Sequence, residues 1–409
     1  MRTVAIALAV AAASAAAVRG QEKKGPTVSA SEEGFVLSSE NGDFRLQLRG
    51  YAQVDGRFYP GDDAGAAIES FLLRRARPIF SGTVGKYFDF SLAPDFGGGS
   101  TVLQDAYVEL RASPKLRVRV GKQKPPVGLE RLQSATALTF VERSFPSALL
   151  PSRDIGVQVT GDLLAGVVHY AGGVFDGAPD GGSVDGDLQD GKDLAGRLFL
   201  SPWKRGSGPL KDLGFGVAGT TGDQTGVPSV YRSGGQLPIV SLVAGTVYDG
   251  SRTRFTPQLS FYSGAFGLLG EYARSRAEVR SAEGARGRFE VRAWQATATF
   301  VLTGDDRASF TGVRPAKPFD PAKGQWGALE LAARVNGLEV DEDAIAAGFV
   351  DPSRSVRDAF AWAVGVNWHL TRNVKQVLDY ERTRFTGGAA GGADRDDENA
   401  LFIRTQVSF

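Results

Sequence analysis

Arginines recur at alternate positions in several stretches of this chain: Arg45, Arg49 and Arg57 in RLQLRGYAQVDGRF, Arg75 and Arg77 in RRARPIF, and Arg117 and Arg119 in LRVRV. A planar guanidinium can hold two oxygens of a phosphate or carboxylate at once and stays charged at any working pH. A row of them on one wall would attract oxyanions and hand them along. Carboxylates share the same spacing, at Asp55, Asp89, Asp95, Asp105, Glu109, Glu271 and Glu330. Each arginine therefore has two readings: an anion contact, or the counter-charge of a neighbouring acid in a wet cavity. Other chemistry has little to work with. Of 409 residues none is Cys, two are His and one is Met, which excludes disulfides, thiol nucleophiles and multi-histidine centres, so no metal and no cofactor are expected. With 47 Lys+Arg against 46 Asp+Glu, no bulk basic surface for nucleic acid is on offer.

The element that puts every second residue on one face is a β-strand. From Phe44 to Phe58 the even positions are apolar or Gly and the odd ones almost all polar or charged. Fifteen such residues far exceed the roughly five or six of a soluble strand and match a tilted strand through a bilayer. The chain ends in the same period, with Leu401, Ile403, Val407 and Phe409 opposed to Arg404, Gln406 and Ser408. Between them, strands are read near 70–83, 87–95, 102–111, 116–122, 155–162, 166–175, 193–203, 213–221, 253–263, 266–279, 289–302, 326–340, 358–370 and 374–385, giving sixteen. Tight connections at 112–115, 263–265 and 371–373 alternate with long Gly/Asp runs such as DGAPDGGSVDGDLQDGKD. The expected fold is all-β: a transmembrane antiparallel β-barrel of 16 strands, with short turns in the periplasm, long loops outside and long connections folded into the lumen. A secreted sandwich or propeller fits less well, because no blade-length repeat is present. Arg74 beside Arg75 breaks the alternation and demands a bulge or a side chain reaching for an interface.

Residues 1–20 carry a basic start, an Ala-rich apolar run and small residues near the end, the pattern of a signal peptide cleaved near Gly20/Gln21, with Ala17 as the alternative. The run is shorter than the roughly 20 residues a spanning helix needs. Residues 21–42 read as a short, mobile periplasmic segment and 43–409 as the barrel domain. The terminal Phe409, with Val407 and Ile403 upstream, resembles the signal read by the barrel-assembly machinery, which places the chain in the outer membrane among its lipids.

Taken together, RLQLRGYAQVDGRF, FLLRRARPIFSGTVGKYFDFSLAPDFGGG, LQDAYVEL, VRVGKQKPPVGLERLQSATALTFVERSFPSALLPSRDIGVQ, RFTPQLSFYSGAFGLLGEYARS, GVRPAKPFDPAKGQWGALELAAR and LFIRTQVSF resemble the phosphate-selective porins of the O and P type over residues 34–409. The resemblance implies a homotrimer of sixteen-stranded barrels in which inward-folded connections narrow the lumen. It also implies arginines that funnel anions to lysines and an aspartate at the constriction. On matching positions, the connection 122–154 is the expected inward loop, Lys122 and Lys124 in GKQKPP are candidate constriction lysines, and Asp95 in PDFGGG matches the acidic position. The connection 303–325 is long for a periplasmic turn and fits a re-entrant segment, making Lys317 and Lys323 candidates. The connection 222–252 is a further expected inward loop, with only Arg232 and Arg252 basic.

The expected function is passive diffusion of small anions, phosphate or related oxyanions, through a water-filled pore lined by Arg and Lys. The alternative in the same fold is a general or weakly selective porin for small polar solutes. A barrel enzyme would have only His169 and His369 for proton transfer, neither beside a nucleophile-like Ser, so no enzymatic activity is expected.

Overall fold

The computed structural model describes residues 25–61, 67–186, 190–304 and 308–409; the expected signal peptide lies outside the described residues. Each period-two segment pairs antiparallel with the next in the chain, and the last closes on the first. A short hairpin, β1 (Thr27–Ser31) and β2 (Gly34–Ser38), precedes the barrel. The barrel strands begin with β3 (Phe44–Phe58), β4 (Ser70–Val84), β5 (Phe88–Asp95), β6 (Val102–Ser113), β7 (Leu116–Gln123), β8 (Asp154–Leu163), β9 (Val168–Phe175), β10 (Asp193–Leu200) and β11 (Gly214–Gly226). Two short strands, β12 (Tyr231–Arg232) and β13 (Pro238–Val240), form a separate ribbon in a loop. The wall then resumes with β14 (Val247–Ser263), β15 (Phe266–Arg280), β16 (Arg286–Val301), β17 (Ala328–Val340), β18 (Val356–His369), β19 (Val374–Gly387) and β20 (Glu398–Ser408). The closed barrel has sixteen strands, as expected. Full closure leaves no free edge among them, which is how a sheet satisfies its backbone groups in lipid.

Closure is fastened from inside. Arg404 on β20 donates to both carboxylate oxygens of Asp55 on β3, at 2.7 and 2.6 Å, with both side chains buried. Removing either partner would strand a buried charge, at a cost of about 3–5 kcal/mol. On the other face of the same strands, Val54, Ile403 and Val407 are exposed, so apolar-out and polar-in hold as the alternation requires.

The hairpin corrects the reading of residues 21–42. Residues 27–38 pair with each other, and β2 pairs with the start of β3, from Phe35 opposite Leu48 to Ser38 opposite Arg45. The segment has little to bury, but β20 reaches only as far down β3 as Tyr51, and the hairpin supplies the missing ladder partner below it. Its turn is tied down as well. Arg372 bonds Glu33 at 2.6 Å, and the Asn373 amide donates to the Glu32 carbonyl at 2.8 Å.

Connections at 85–87, 114–115 and 264–265 are tight at the end that holds Phe409, while 124–153, 176–192, 227–246 and 341–355 are long at the other. The apolar core lies inside the barrel at the loop end. There Phe145, Leu149 and Leu150 of the 124–153 loop and Tyr231, Ile239 and Val240 of the 227–246 loop pack against Phe289, Val291, Leu338 and Val340 of the wall. Both loops fold inward, as expected. The second is shorter than the predicted 222–252, because β11 and β14 run on past the apolar band.

Candidate functional site: the pore lining

Pro125 and Pro126 end the β7 ladder by removing two backbone donors, and the chain turns into the lumen at Gly128. This residue has φ +79°, and a Cβ there would meet the Leu150 side chain at 2.7 Å, so only glycine fits. Two helical turns follow, α1 (Leu129–Leu132) and α2 (Phe145–Ala148). The Glu130 carboxylate ties them together by accepting from the Ser144 N–H, the Ser144 hydroxyl and the Ser147 hydroxyl at 3.0, 2.8 and 2.7 Å.

The loop is then fastened to one side of the wall. Glu271 on β15 accepts the Leu129 and Glu130 N–H groups, and Asp379 on β19 accepts that of Val141 at 2.6 Å. Asn367 on β18 donates to the Thr139 carbonyl, Lys375 on β19 to that of Leu138, and Gln53 on β3 to that of Ala135. With β15 to β20 and the middle of β3 used as anchors, the open lumen is left between the loop and the wall from β3 to β10. That is the wall carrying the alternating arginines.

This open side forms three successive cavities. The one at the turn end, about 630 Å³, is lined by Arg45, Arg49, Arg314, Arg372 and Lys375 against Glu32 and Glu33. It shares Arg49, Tyr51, Ile79 and Ser134 with a middle cavity of about 440 Å³, where Arg49, Arg77, Arg119, Lys124, Arg153 and Arg197 face a single carboxylate, Asp105. The middle cavity in turn shares Arg77, Lys124, Ala135 and Arg153 with a loop-end cavity of about 560 Å³. There Arg74, Arg75, Arg131, Arg143 and Arg232 are added, and four acids are present. Cations outnumber carboxylates at every level, and the junction of Arg77, Lys124 and Arg153 is the crossing point between the upper two.

Two of the three junction cations are paired: Arg77 bonds Asp95 through Nε at 3.2 Å and Nη2 at 2.6 Å, and Arg153 bonds Asp105 at 3.2 Å. Lys124 instead donates to the carbonyls of Leu132 and Gln133, at 3.1 and 2.7 Å. Burial, then the positive charges of Arg153 and Arg143, hold its ammonium well below the ordinary lysine range. Burial and the neighbouring guanidiniums likewise push Arg143 down, to about 9, and Arg131 to about 10. In the same loop burial alone would raise Glu142, but Arg74 and Arg57 outweigh it and pull the carboxyl down to about 2. The loop side of the pore thus holds crowded positive charge, which an entering anion relieves.

The model of the family described as phosphate-selective porin O and P matches residues 44–409. The chain belongs to that family. It is 25% identical to Porin O of Pseudomonas aeruginosa, over 98% of each chain. Among solved structures it resembles the outer-membrane channel DcaP of Acinetobacter baumannii, with TM-score 0.59, 8% identity and coverage of 91% of this chain and 99% of that one. It also resembles an anion-selective porin from Comamonas acidovorans, with TM-score 0.56, 13% identity and coverage of 90% and 100%. A third is the trimer form of OmpT from Vibrio cholerae, with TM-score 0.54, 12% identity and coverage of 90% and 99%. The protein is an outer-membrane porin, a channel, and the turn end is its periplasmic end.

Of the seven arginines expected on this porin's lumen wall, four meet carboxylates. Arg57 bonds Glu142 at 2.7 Å, Arg77 bonds Asp95, and Arg119 and Arg117 lie 2.7 and 4.0 Å from Glu109. Arg45 and Arg49 face the cavities, and Arg75 donates to the side-chain amide oxygen Oε1 of Gln53 at 2.7 Å. No carboxylate pairs with these three among the described residues. The Arg74 conflict is resolved by a bulge: β4 pairs Arg75 with Gln53 but Leu73 with Val54, so Arg74 and Arg75 both face the upper cavity. Gly97 makes room for this, since a Cβ there would sit 2.6 Å from the Arg74 carbonyl oxygen.

The lysine candidates separate. Lys124 stands at the junction, whereas Lys122 has the parity of the outward-facing Val118 and Val120, is ion-paired to Asp185 and lines none of the three cavities. The re-entrant segment does enter the pore, but through Thr311 to Arg314. Lys317 is exposed outside the cavities, and Lys323 is 70% exposed and paired with Asp320 at 2.6 Å beside the Phe319–Trp326 stack. Asp95 is saturated by Arg77 and by the N–H groups of Ala76 and Gly97, so it braces the bulge. Arg232 lines the upper cavity, while Arg252 is buried against Asp193 and the carbonyls of Gly177 and Ala178. Arg131, Arg143, Arg153, Arg197 and Arg314 were not picked out by strand parity, because four lie in loops and Arg197 sits on a strand flanked mainly by apolar residues and glycine.

Proposed function

We propose that this porin passes small anions by passive diffusion and prefers phosphate or related oxyanions. The observation that carries the reading is the unbroken cation lining, which runs from Arg74, Arg75, Arg131 and Arg143 through Lys124 to Arg119 and Arg197, then to Arg49, Arg45 and Arg314. An anion entering from outside meets positive potential at each level, and each site is weak enough to release it to the next. At the crossing point the Lys124 ammonium has three donors, two of which hold loop carbonyls. The third replaces part of the anion's hydration shell. The family's name and the anion-selective Comamonas acidovorans neighbour agree with this reading.

A general or weakly selective porin is the second reading, favoured by the carboxylates that already neutralise Arg77, Arg119 and Arg153. Titrating phosphate against the chloride current of the purified protein in a planar bilayer separates the two. Block at low phosphate supports the oxyanion site, and an undiminished chloride current assigns the general pore.

We further infer export by a signal peptide over residues 1–20 and insertion by the barrel-assembly machinery through Ile403, Val407 and Phe409. Ile403 and Val407 face outward on β20 and Phe409, just past its end, is exposed as well, which supports their availability to a receptor. Assembly as a homotrimer is supported by the trimeric OmpT neighbour and is checked by the mass of the detergent-solubilised particle.

A further inference from the structure

A second arginine cluster lies on the outside of the barrel, unconnected with the pore. On β15 and β16, Leu269, Glu271, Ala273, Ser275, Val291, Ala293 and Gln295 face in and are buried. Tyr272, Arg274, Arg276, Glu290, Arg292 and Trp294 share the opposite, outward face. The register stacks them by level: Tyr272 is opposite Trp294, then Arg274 opposite Arg292, then Arg276 opposite Glu290. Below this stack the outward residues are apolar, down to Phe266 opposite Phe300.

Trp294 marks where the hydrocarbon ends. Its ring centroid lies 6.3 Å from that of Phe360, and its indole lies over Gly337, where a Cβ would come within 2.6 Å of Nε1. Aromatic residues of this kind sit at the level of the lipid headgroups. The arginines begin one step further out, towards the loop end. All three guanidiniums converge on one carboxylate: Arg274 at 2.8 Å, Arg292 at 2.7 Å and Arg276 at 3.8 Å from Glu290, whose side chain is 6% exposed. Arg292 also touches Glu339 at 3.2 Å. The arginines themselves stay 36–41% exposed. Three positive charges against the buried Glu290 and the rim carboxylate Glu339 leave a net positive cluster, an excess of one, aimed outward at the headgroup zone, and guanidiniums match phosphate oxygens in pairs.

The geometry points to a lipid site: Arg274, Arg276 and Arg292, organised by Glu290, bind the phosphate groups of a phosphorylated glycolipid in the outer leaflet. The buried carboxylate fixes the spacing of the three forks, and the Tyr272–Trp294 row beneath them faces the acyl region. The inference rests on the outer-membrane orientation of the barrel and is independent of the pore's selectivity.

The test uses the full-length protein in detergent, titrated with purified outer-leaflet lipopolysaccharide and with the same lipid after phosphatase treatment. The R274Q/R276Q/E290Q/R292Q variant lowers the net charge of the cluster by two and is expected to bind the phosphorylated lipid roughly thirtyfold more weakly. Unmodified protein should lose a similar factor when the lipid is dephosphorylated, and millimolar inorganic phosphate should not displace the lipid. Chloride conductance of the variant should match that of the unmodified protein, which separates this site from the pore. Heat-modifiable gel migration reports whether the variant is folded. Should it not fold, R274K/R276K/R292K, which keeps the charge and removes the paired donors, is expected to bind several-fold more weakly. Equal affinity of variant and unmodified protein, equal affinity for the two lipids, displacement by free phosphate, or loss of oligomer in the variant would each overturn the assignment.

Discussion

Lys124→Gln is the most informative single change in the pore. Lys124 belongs to both the middle and the upper cavity, and unlike Arg77 and Arg153 beside it, it meets carbonyls where they meet carboxylates. Its ammonium therefore offers a charge that no fixed acid cancels at short range. A hydrogen bond to a charged group contributes about 1.5–3 kcal/mol, which corresponds to a phosphate affinity lower by roughly tenfold to a hundredfold in the variant. A unit charge about 4 Å from an anion at an effective dielectric constant of about 20 sets a ceiling near 4 kcal/mol per charge. The assay is phosphate block of single-channel chloride current in a planar bilayer. Lys124→Arg should retain most of the block, and Lys122→Gln, which removes the partner of Asp185 away from the cavities, should leave it unchanged. If Lys124→Gln is blocked at the same phosphate concentration as the unmodified protein, anions do not cross where the two cavities meet, and the pathway drawn here is wrong.

Three further outcomes follow from the same geometry. Burial and the neighbouring Arg153 and Arg143 favour the neutral form of Lys124, so its charge is present at low pH and lost as the pH rises, well before the ordinary lysine range; phosphate block should weaken with rising pH in the unmodified protein more steeply than in Lys124→Arg, as measured by repeating the block titration at a series of pH values. Glu271→Leu removes the acceptors of the Leu129 and Glu130 N–H groups and should loosen the 124–153 loop by about 2–4 kcal/mol, read as larger and noisier single-channel currents with the barrel still folded. Arg314→Gln, which strips a cation from the periplasmic cavity, should lower anion selectivity, whereas Lys323→Gln, on an exposed residue paired with Asp320, should not; a reversed order in the reversal potentials would place the wrong part of the re-entrant segment in the pore.

Most of the wall could be read from alternation alone, because one period governs every barrel strand and lipid enforces it on the outward face. Phe44–Phe58 and Phe266–Arg280 begin and end within a residue or so of where the pattern predicts. What alternation does not carry is pairing below the last barrel residue, and so the short β1 and β2, set in a stretch rich in Ser, Glu and Gly, read as a loose segment although β2 completes the ladder of β3 and β1 pairs with β2. Parity also found the arginines on strands but could not say which acid each one meets. Arg77 and Arg119 meet Asp95 and Glu109 on the neighbouring strands, while Arg57 meets Glu142 on an inward loop eighty-five residues away. The inward acids, numerous enough to suggest a mixed lumen, largely serve as struts: Asp55 closes the barrel, Glu271 holds the loop and Glu330 bonds His369 at 3.2 Å. Loop residues such as Arg131 and Arg143 have no period to mark them, and only the folded loop brings them to the pore.

The open side of the lumen is a positively charged path. This is tested most directly by the zero-current potential of the purified protein in a planar bilayer across a potassium chloride gradient. The expected potential has the sign that reports chloride as the more permeant ion, and it is smaller when Lys124 and Arg49 are both replaced by Gln. A potential near zero, or one reporting potassium as the more permeant ion, would contradict it.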